Sequence, residues 1–179
     1  MLRTKRLILR RWEESDAEDL YKYAKDPEVG PLAGWKPHES VDESREIIKN
    51  ALSGPEAYAV CLKVDGKAIG AIELMLGGSS VNEIKNADEC ELGYWLAKPF
   101  WGQGLIPEAA REMLRRAFED LGMQKVWCAY YDGNDKSKRV QEKLGFKYQL
   151  TREVFVPAIN ETRKEHLSYI TKEEWKNEL

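Results

Sequence analysis

Apolar residues recur along the chain at two spacings, and their succession predicts an α+β fold with one mixed sheet. Runs rich in β-branched, aromatic and aliphatic residues predict strands at residues 7–12, 58–64, 67–76, 89–96, 125–131, 146–155 and 163–170. Apolar residues three and four positions apart predict helices at residues 15–25, 40–52, 107–121 and 137–144. Because a helical crossover returns the chain in the same direction, we expect the strands at 89–96 and 125–131 to be parallel neighbours.

Signals at the ends of these elements sharpen the prediction. Capping boxes, with Ser or Thr followed three residues later by Glu, start at residues 15, 40 and 171. The pair Asp65-Gly66 predicts a two-residue hairpin turn, Gly122 is placed to end the long helix, and residues 77–87 predict a polar loop. Since no linker, repeat or low-complexity stretch interrupts the pattern, we expect residues 1–179 to form one domain.

Composition narrows the possible classes of function. The net charge of −3 argues against broad binding to nucleic acid or to an anionic membrane. No apolar run is long enough to span a bilayer, and the N-terminal residues lack the apolar core of a signal peptide. The three cysteines are widely spaced and the two histidines are too few for most histidine metal sites. We therefore expect a cytoplasmic protein with reduced, buried thiols and no metal ion.

The most informative segment links the strand at 89–96 to the long helix, and it reads Trp101-Gly102-Gln103-Gly104-Leu105-Ile106-Pro107-Glu108. Its two glycines let the backbone approach a ligand, so that N–H groups converge beside a helix N-terminus and favour a pyrophosphate. Two glycines alone fit a tight turn without a ligand equally well. Pro107 stands where the sequence GxGxxG has its last glycine, and the Lys-Ser/Thr ending of a P-loop is absent, so neither of those nucleotide sites is predicted.

This turn resembles the acyl-CoA turn of the GNAT superfamily of N-acetyltransferases, Gln/Arg-x-x-Gly-x-Gly/Ala. The RimJ/RimL-like branch typically has Gly-Tyr-Trp-Leu, then Trp-Gly-x-Gly, then Glu-Ala, and this chain has Gly93-Tyr94-Trp95-Leu96, Trp101-Gly102-Gln103-Gly104 and Glu108-Ala109. Further matches to the branch are Thr4-Lys5-Arg6-Leu7-Ile8-Leu9-Arg10, Ser15-Asp16-Ala17, Asn134, Ser137 and Lys143-Leu144-Gly145-Phe146. The chain departs from the superfamily pattern at Trp101, the branch's usual substitute, and at Ile106, which is bulkier than the usual residue.

The resemblance implies a mostly antiparallel twisted sheet whose central parallel strand pair splays apart, with about four flanking helices. The pantetheine arm of acetyl-CoA would lie between those strands and pair with backbone like an added strand. An N–H group near Leu96 would stabilise the charge that develops on the thioester oxygen. The residues expected to hold acetyl-CoA are Tyr94, Trp95, Leu96, Trp101, Gly102, Gln103, Gly104, Leu105, Ile106, Asn134 and Ser137.

The implied reaction is direct attack of a primary amine on the acetyl carbonyl. A protonated amine has no free electron pair, so a base or a water chain must remove a proton. Glu91, in the strand that bears the thioester site, is the first candidate base, and its alternative is a solvated or ion-paired strand residue. Glu73 is the second candidate, and His38, which is equally compatible with an incidental loop position, is the third.

The leaving thiolate also needs a proton. Many members supply it from a tyrosine in the motif Asn-x-x-Ala-x-x-x-Tyr, and alignment on Asn134 puts Gln141, which is no acid, at that position. The branch has a serine where Ser137 stands, so Ser137 is the candidate donor; a helix N-cap is its alternative or additional role.

The sequence leaves the acceptor open. It can be a protein N-terminal α-amine or a small-molecule amine, with Trp35, His38 and Glu73 as candidate substrate-binding residues. Trp35 fits an acceptor cleft and a lid over the core equally well. The Gln141 substitution keeps a second class open, a non-catalytic acyl-CoA-binding or sensing domain. Because relatives are commonly homodimers, we expect a monomer or a homodimer.

Overall fold

The computed structural model describes residues 1–77, 84 and 86–177, and its strands form one sheet. The strands are β1 (Leu2–Arg3), β2 (Leu7–Arg10), β3 (Ala57–Leu62), β4 (Ala68–Leu76), β5 (Glu89–Leu96), β6 (Lys125–Tyr131), β7 (Lys147–Val156) and β8 (Glu161–Thr171). Their order in the sheet is β1-β2-β3-β4-β5-β6-β8-β7. The β5–β6 pair is parallel and the other neighbours are antiparallel, which confirms the predicted mixed sheet.

Helices cover both faces of this sheet. They are α1 (Ala17–Ala24), α2 (Gly30–Ala33), α3 (Val41–Asn50), α4 (Leu105–Arg115), α5 (Asp135–Lys143) and α6 (Lys172–Asn177), and α4 continues into a π-helical turn at Arg116–Asp120. The main core lies between the sheet and the apolar side of α4, where residues such as Met113 and Leu114 are fully buried. Each such side chain contributes roughly 1.5–3 kcal/mol by leaving water. None of the described helices is both long and apolar enough to cross a membrane.

A second, smaller cluster lies on the opposite face. It joins α1 and α3 through Leu20 and Ile48 and includes the partly buried Trp12, Trp35 and Trp95. Because side chains alternate across a strand, Trp95 faces this cluster while its neighbours Tyr94 and Leu96 face the core with α4. The two faces of β5 therefore have different surroundings.

Several local predictions are confirmed. Strands β5 and β6 match their predicted bounds, and they are the parallel pair. Ser40 caps α3, because its Oγ accepts a hydrogen bond from the N–H of Glu43 at 3.0 Å. The third capping box also forms, since the N–H of Thr171 donates to Glu174 Oε2 at 2.9 Å.

Other local predictions are wrong. Ser15 is not the N-cap of α1, which begins at Ala17 after a 3₁₀ turn at Glu14–Asp16. Asp16 stands at the N-cap position without a side-chain hydrogen bond to the helix; its carboxylate accepts instead from the Glu13 N–H at 2.9 Å and from both terminal nitrogens of Arg10 at 2.7 Å. The β3–β4 hairpin forms, but its connection runs over residues 63–67 rather than two residues.

The loop before α3 contains an unpredicted helix, α2. Residues 29–39 are rich in Pro, Gly and Trp, a composition typical of a loop, yet Pro31 fits the first helical turn and Gly34 ends the helix with a left-handed φ of 88°. Helix α5 begins at Asp135 and is capped by Asn134, so the alternative role of Ser137 as N-cap is wrong. The polar loop predicted over 77–87 lies largely outside the described residues.

Candidate active site

A wedge opens in the middle of the sheet between β5 and β6. Their parallel pairing begins at Glu89 and Lys125 and stops at Glu91 and Trp127, although both strands continue. Beyond that point β5 stays paired with β4 up to Leu96, and β6 stays paired with β8. The gap therefore separates the second half of β5 from the second half of β6.

Backbone N–H groups of β5 point into this gap. The N–H of Ala97 donates to the Ile69 carbonyl, on the β4 side, at 2.8 Å. Because N–H groups alternate in direction along an extended strand, those of Tyr94 and Leu96 point the other way, toward β6. Their direction suits hydrogen bonding to an extended ligand that lies along β5, which is the role that the resemblance implies for Leu96.

The turn after β5 has the conformation that its glycines suggested. Gly102 and Gly104 have φ values of 75° and 73°, in the left-handed region that favours glycine, and a methyl group at Gly102 would meet no atom within 4 Å. Helix α4 begins directly after Gly104, so the first N–H groups of the helix have no carbonyl acceptor within the helix itself. Open space above such N–H groups suits an anion.

Residues from the N-terminus brace this turn. Glu108, in the first turn of α4, accepts from the Thr4 hydroxyl at 2.5 Å, and from the Arg6 N–H and the Arg6 Nε at 2.7 Å each. Arg6 also donates through Nη1 to the Gln103 carbonyl at 2.9 Å. Burial raises the pKa of Glu108, but the hydrogen bonds from Thr4 and Arg6 outweigh it and leave that pKa below its usual value. Two motifs a hundred residues apart thus form one contact.

The tryptophan of the turn ties it to β5. Trp101 Nε1 donates to the Leu96 carbonyl at 2.7 Å, which fixes the turn relative to the end of the strand. The side chain of Gln103 instead points away and donates to the Pro99 carbonyl at 3.1 Å. Gln103 is the only predicted site residue that does not line the cavity described next.

A cavity of about 780 Å³ extends through the wedge and along the turn. The predicted site residues that line it are Trp35, His38, Glu73, Glu91, Tyr94, Trp95, Leu96, Trp101, Gly102, Gly104, Leu105, Ile106, Asn134 and Ser137. The structure therefore brings together residues predicted for the thioester, the phosphates and the acceptor.

Helix α5 adds positive charge that sequence reasoning missed. Lys136, Arg139 and Lys143 line the cavity, and Lys136 Nζ lies 4.5 Å from the ring centroid of Trp101 in the turn. Their spacing of three and four residues puts them on one side of the helix, and this signal was present in the sequence. Together with the N–H groups of the turn, they give this end of the cavity an anion-binding character.

Two carboxylates line the opposite end. Glu73 of β4 pairs in register with Gly93, and Glu91 of β5 pairs with Met75, so both side chains lie on the same face as Trp95. Glu91 is buried with 5% of its surface exposed, and it raises the pKa of Cys90 and Cys128 further above the values that burial gives them. Burial raises the pKa of Glu73. A carboxylate with a raised pKa is suited to accept a proton.

His38 and Trp35 form the wall beside these carboxylates. The His38 Nδ1 lies 2.8 Å from the Ser44 hydroxyl, and burial lowers the pKa of His38, which favours its neutral form. Trp35 contacts Trp95 edge to face, with ring centroids 5.5 Å apart, and lies 5.3 Å from the His38 ring. Trp35 lines the cavity and also packs against the cluster around α1, so its position is compatible with both roles, and its part in acceptor binding stays a prediction.

Ser137 belongs to a buried hydrogen-bond network on the other face of β5. Its Oγ lies 2.8 Å from the Tyr94 hydroxyl and 3.5 Å from Gln141 Nε2. Gln141 is held in turn by Ser168, whose hydroxyl donates to Gln141 Oε1. Burial raises the pKa of Tyr94 well above its usual value, so its hydroxyl stays protonated.

Asn134 has structural partners as well as a place in the cavity wall. Its Oδ1 accepts from the N–H of Ser137 at 3.2 Å, and its Nδ2 donates to the Leu32 carbonyl at 3.3 Å. It thereby connects α5 to α2. Among the described residues, no group of three or more His, Cys, Asp and Glu side chains is arranged to hold a metal ion.

Known proteins with similar sequences and folds agree with this geometry. The acetyltransferase (GNAT) domain family matches residues 6–147. The chain is 37% identical to "Putative ribosomal N-acetyltransferase YdaF" of Bacillus subtilis (strain 168) over 95 residues, which cover 53% of this chain and 47% of that protein. It is 28% identical to "Uncharacterized N-acetyltransferase p20" of Bacillus licheniformis, with 82% of each chain covered.

A solved structure extends the agreement to the whole fold. The crystal structure of a GNAT-family acetyltransferase from Bacillus anthracis matches with a TM-score of 0.81 at 22% identity, covering 97% of this chain and 99% of that one. On the strength of the domain match, and in line with the RimJ/RimL-like motifs around the cavity, the chain belongs to the GNAT family of acetyltransferases.

Proposed function

We propose that residues 1–179 form one acetyltransferase domain that transfers the acetyl group of acetyl-CoA to a primary amine, by direct attack of the amine on the thioester. The acceptor is a protein N-terminal α-amine or a small-molecule amine. The observation that carries the proposal is the wedge between β5 and β6, which joins the braced turn at Gly102 and Gly104 to the carboxylates Glu73 and Glu91 in one cavity.

The residues present fit acetyl-CoA along its length. The N–H groups of the turn and the cations Lys136 and Arg139 suit its phosphates, and the N–H groups of Tyr94 and Leu96 suit its pantetheine amides. When bound, acetyl-CoA supplies the activated acetyl group. The Leu96 N–H would donate to the thioester oxygen and stabilise the negative charge that develops there.

Proton transfers are assigned to the two faces of β5. On one face Glu91, or Glu73 two register positions away, takes a proton from the amine before attack, directly or through water. On the other face Ser137 donates a proton to the departing thiolate. The base then loses its proton to solvent and Ser137 regains one from solvent, so both groups return to their starting protonation states before the next turnover.

The test combines a binding and a product measurement. Calorimetric titration with acetyl-CoA should give saturable binding, whereas ATP and NAD should bind far more weakly. Mass spectrometry after incubation with acetyl-CoA, mixed peptides and amines should then show a mass gain of one acetyl group on an acceptor. Failure to bind acetyl-CoA would refute the proposal.

One observation favours a second function, an acyl-CoA-binding or sensing domain without turnover. Gln141 occupies the position of the tyrosine acid of many relatives, and an amide cannot protonate a thiolate. Tight acetyl-CoA binding with no acetylated product from any amine in the panel would favour this second function over catalysis.

A further inference from the structure

The two carboxylates at the acceptor end of the cavity have different surroundings. Glu73 of β4 and Glu91 of β5 lie on the same face of the sheet, and both line the cavity. Within the described part of the chain, the half-buried Glu73 carboxylate makes no hydrogen bond and no ion pair. Burial raises its pKa, and no charged neighbour contributes to that shift. The polar partner of Glu73 therefore has to come from a ligand or from solvent.

Glu91, in contrast, has an interaction partner and lies beside a charged cluster across the wedge. That cluster is built in register, because Tyr131 of β6 and Arg152 of β7 both lie opposite Glu165 of β8. Arg152 Nη2 lies 2.7 Å from Glu165 Oε2, and the Arg163 guanidinium carbon lies 5.5 Å from the ring centroid of Tyr131. Burial raises the pKa of Tyr131, and the charges that act on it as well are those of Glu165, Arg163, Glu91 and Arg152. Glu91 is thus set among charges of both signs.

Gly93 leaves the space that the Glu73 side chain occupies. The two residues lie opposite each other in the β4–β5 pair, where facing Cβ atoms are normally about 5 Å apart. A methyl group at Gly93 would lie 3.6 Å from both Cγ and Oε1 of Glu73, and 3.0 Å from Cε of Met75. The Glu73 side chain therefore leans over β5 at Gly93. Residues 94–96 follow directly and carry the N–H groups that suit the pantetheine arm and the thioester, so the carboxylate lies beside the proposed reaction centre.

We infer that Glu73 is the catalytic base and that Gly93 positions it, whereas Glu91 belongs to the structural surroundings of the wedge. The inference rests on the proposed function, since it assigns one step of the proposed transfer. A half-buried carboxylate without a partner gains most from a bound ammonium, because burying an unpaired charge is costly. It is also the carboxylate that can take a proton without giving up a contact within the described fold.

The assigned step fits a balanced reaction. The Glu73 carboxylate accepts one proton from the substrate ammonium, and the electron pair freed on nitrogen forms the new N–C bond. The C–S bond of the thioester breaks, and the thiolate takes a proton from Ser137. Glu73 and the acylated nitrogen each release one proton to solvent and Ser137 regains one, so each transfer releases one proton in total.

The test is the pH dependence of kcat/KM at saturating acetyl-CoA, measured with a peptide α-amine and an alkyl amine that mass spectrometry shows to be acetylated. In the unaltered protein, kcat/KM should stop rising at the pKa of Glu73, whichever acceptor is used. In Glu73→Gln only the neutral amine reacts, so kcat/KM should rise about tenfold per pH unit up to the pKa of the acceptor itself. That pKa is about 7.7–8.0 for a peptide α-amine and about 10.4 for an alkyl amine such as a lysine side chain. At pH 6.5 the variant should be about 100-fold slower than the unaltered protein.

Matched variants assign the effect to one residue. The other titratable groups among the described residues that line this end of the cavity are Glu91, His38, Tyr131 and Glu165. Glu91→Gln and His38→Gln should each keep an inflection that is the same for both acceptors. Glu46→Gln, which lies on α3 beside Lys49, is the control outside the cavity and should have the profile of the unaltered protein. An inflection that follows the acceptor in Glu91→Gln or His38→Gln, or one that does not follow it in Glu73→Gln, overturns the inference.

Gly93→Val tests the positioning role. Valine suits a strand but would occupy the space of the Glu73 carboxylate, so the inflection should follow the acceptor as it does in Glu73→Gln. Adding Glu73→Gln to Gly93→Val should then lower kcat/KM less than about threefold, whereas independent effects would multiply and would remove Gly93 from the role. An unchanged CoA dissociation constant reports that the variant is folded; if Gly93→Val does not bind CoA, Gly93→Ala takes its place with a smaller effect of the same kind.

The outcomes also separate this inference from the proposed function. Turnover by the unaltered protein, together with an unaltered profile in Glu73→Gln, refutes the assignment of the base and leaves the transfer reaction standing. Binding of acetyl-CoA without product from any amine refutes the proposed catalysis and the assignment together.

Discussion

The hydroxyl oxygen of Tyr94 lies 2.8 Å from the Oγ of Ser137, which links the strand of the wedge to the helix behind it. Gln141 Nε2 approaches the same Oγ at 3.5 Å, and Ser168 fixes the orientation of the Gln141 amide. Because Gln141 can only donate through Nε2, the Ser137 oxygen accepts from it, and the Ser137 proton can be directed elsewhere. Gln141 therefore orients the candidate acid instead of replacing it.

Ser137→Ala tests this arrangement. If Ser137 protonates the thiolate, its removal should lower kcat by about 100-fold, the lower range for a general acid, and raise the acetyl-CoA dissociation constant far less than that. Steady-state kinetics and calorimetry measure the two quantities. Tyr94→Phe keeps the serine and should cost less than Ser137→Ala; a kcat for Ser137→Ala equal to that of the unaltered protein would remove Ser137 from the role.

Glu108 offers a test of how the turn is held. Glu108→Gln weakens the charged hydrogen bonds to Arg6, each worth about 1.5–3 kcal/mol, and should raise the acetyl-CoA dissociation constant about tenfold by loosening the turn. Glu112→Gln is the control, because Glu112 lies on the same helix and pairs with Arg115 instead. Equal acetyl-CoA affinity in both variants would show that this bracing does not affect the cofactor site.

The contact between Glu108 and the N-terminal segment also marks the limit of sequence reasoning. Local patterns predicted both elements, since an apolar stripe and alternating residues each report burial of one face. Nothing local says that Thr4 and Arg6 meet Glu108, because that contact depends on β2 passing beside the start of α4. The sequence shows both motifs, but only the fold shows that they contact each other.

The same limit explains the wrong capping prediction. Ser15 and Glu18 satisfy the capping pattern, yet Asp16 competes for the position and gains two charged hydrogen bonds from Arg10 in β2. Ser40 has no such competitor and caps α3 as predicted. The local capping signal thus fails where a tertiary ion pair fixes the neighbouring residue, and it holds at Ser40, where the serine itself caps the helix.

The cations of α5 predict a salt-dependent affinity for acetyl-CoA. Lys136→Gln combined with Arg139→Gln should raise the dissociation constant roughly tenfold at low ionic strength. In concentrated salt the increase should be smaller, because salt already screens the attraction between these cations and the phosphates in the unaltered protein. Calorimetric titrations at two salt concentrations measure this difference. Lys138→Gln is the control, since Lys138 lies on the same helix, pairs with Glu142 and does not line the cavity. Equal effects of the control and the double variant would contradict the assignment.

Removal of each candidate base should separate their roles in the pH–rate profile. If Glu91 is the base, Glu91→Gln should depress kcat strongly at every pH and leave acetyl-CoA affinity nearly unchanged. If Glu73 is the base, its raised pKa should place the acid limb of the profile above the range of an ordinary carboxyl, since the base acts only when deprotonated. An unaltered profile in one variant removes that residue from the role.

The half-buried Glu73 carboxylate should also lower the stability of the folded protein at neutral pH. Its pKa is raised by burial in the folded protein, so the folded state holds the proton more tightly than the unfolded state does. Stability therefore falls as pH rises from the ordinary glutamate pKa through the raised one, and the loss is complete above it. Glu73→Gln removes the charge and should raise Tm at pH 7.5. At pH 3.5, where the carboxyl is largely protonated in both states, the gain should shrink toward zero.

Glu56 supplies the control of opposite sign. Burial raises its pKa, but hydrogen bonds from Arg116 and Tyr58 outweigh burial and lower it. A lowered folded pKa contributes stability that is present above the unfolded pKa and is lost as pH falls, so Glu56→Gln should lower Tm at pH 7.5 and have a smaller effect at pH 3.5. Differential scanning calorimetry of both variants at the two pH values compares them directly. If Glu73→Gln lowers Tm at pH 7.5 as Glu56→Gln does, the Glu73 carboxylate is paired and stabilising, and burial is not what governs its ionisation.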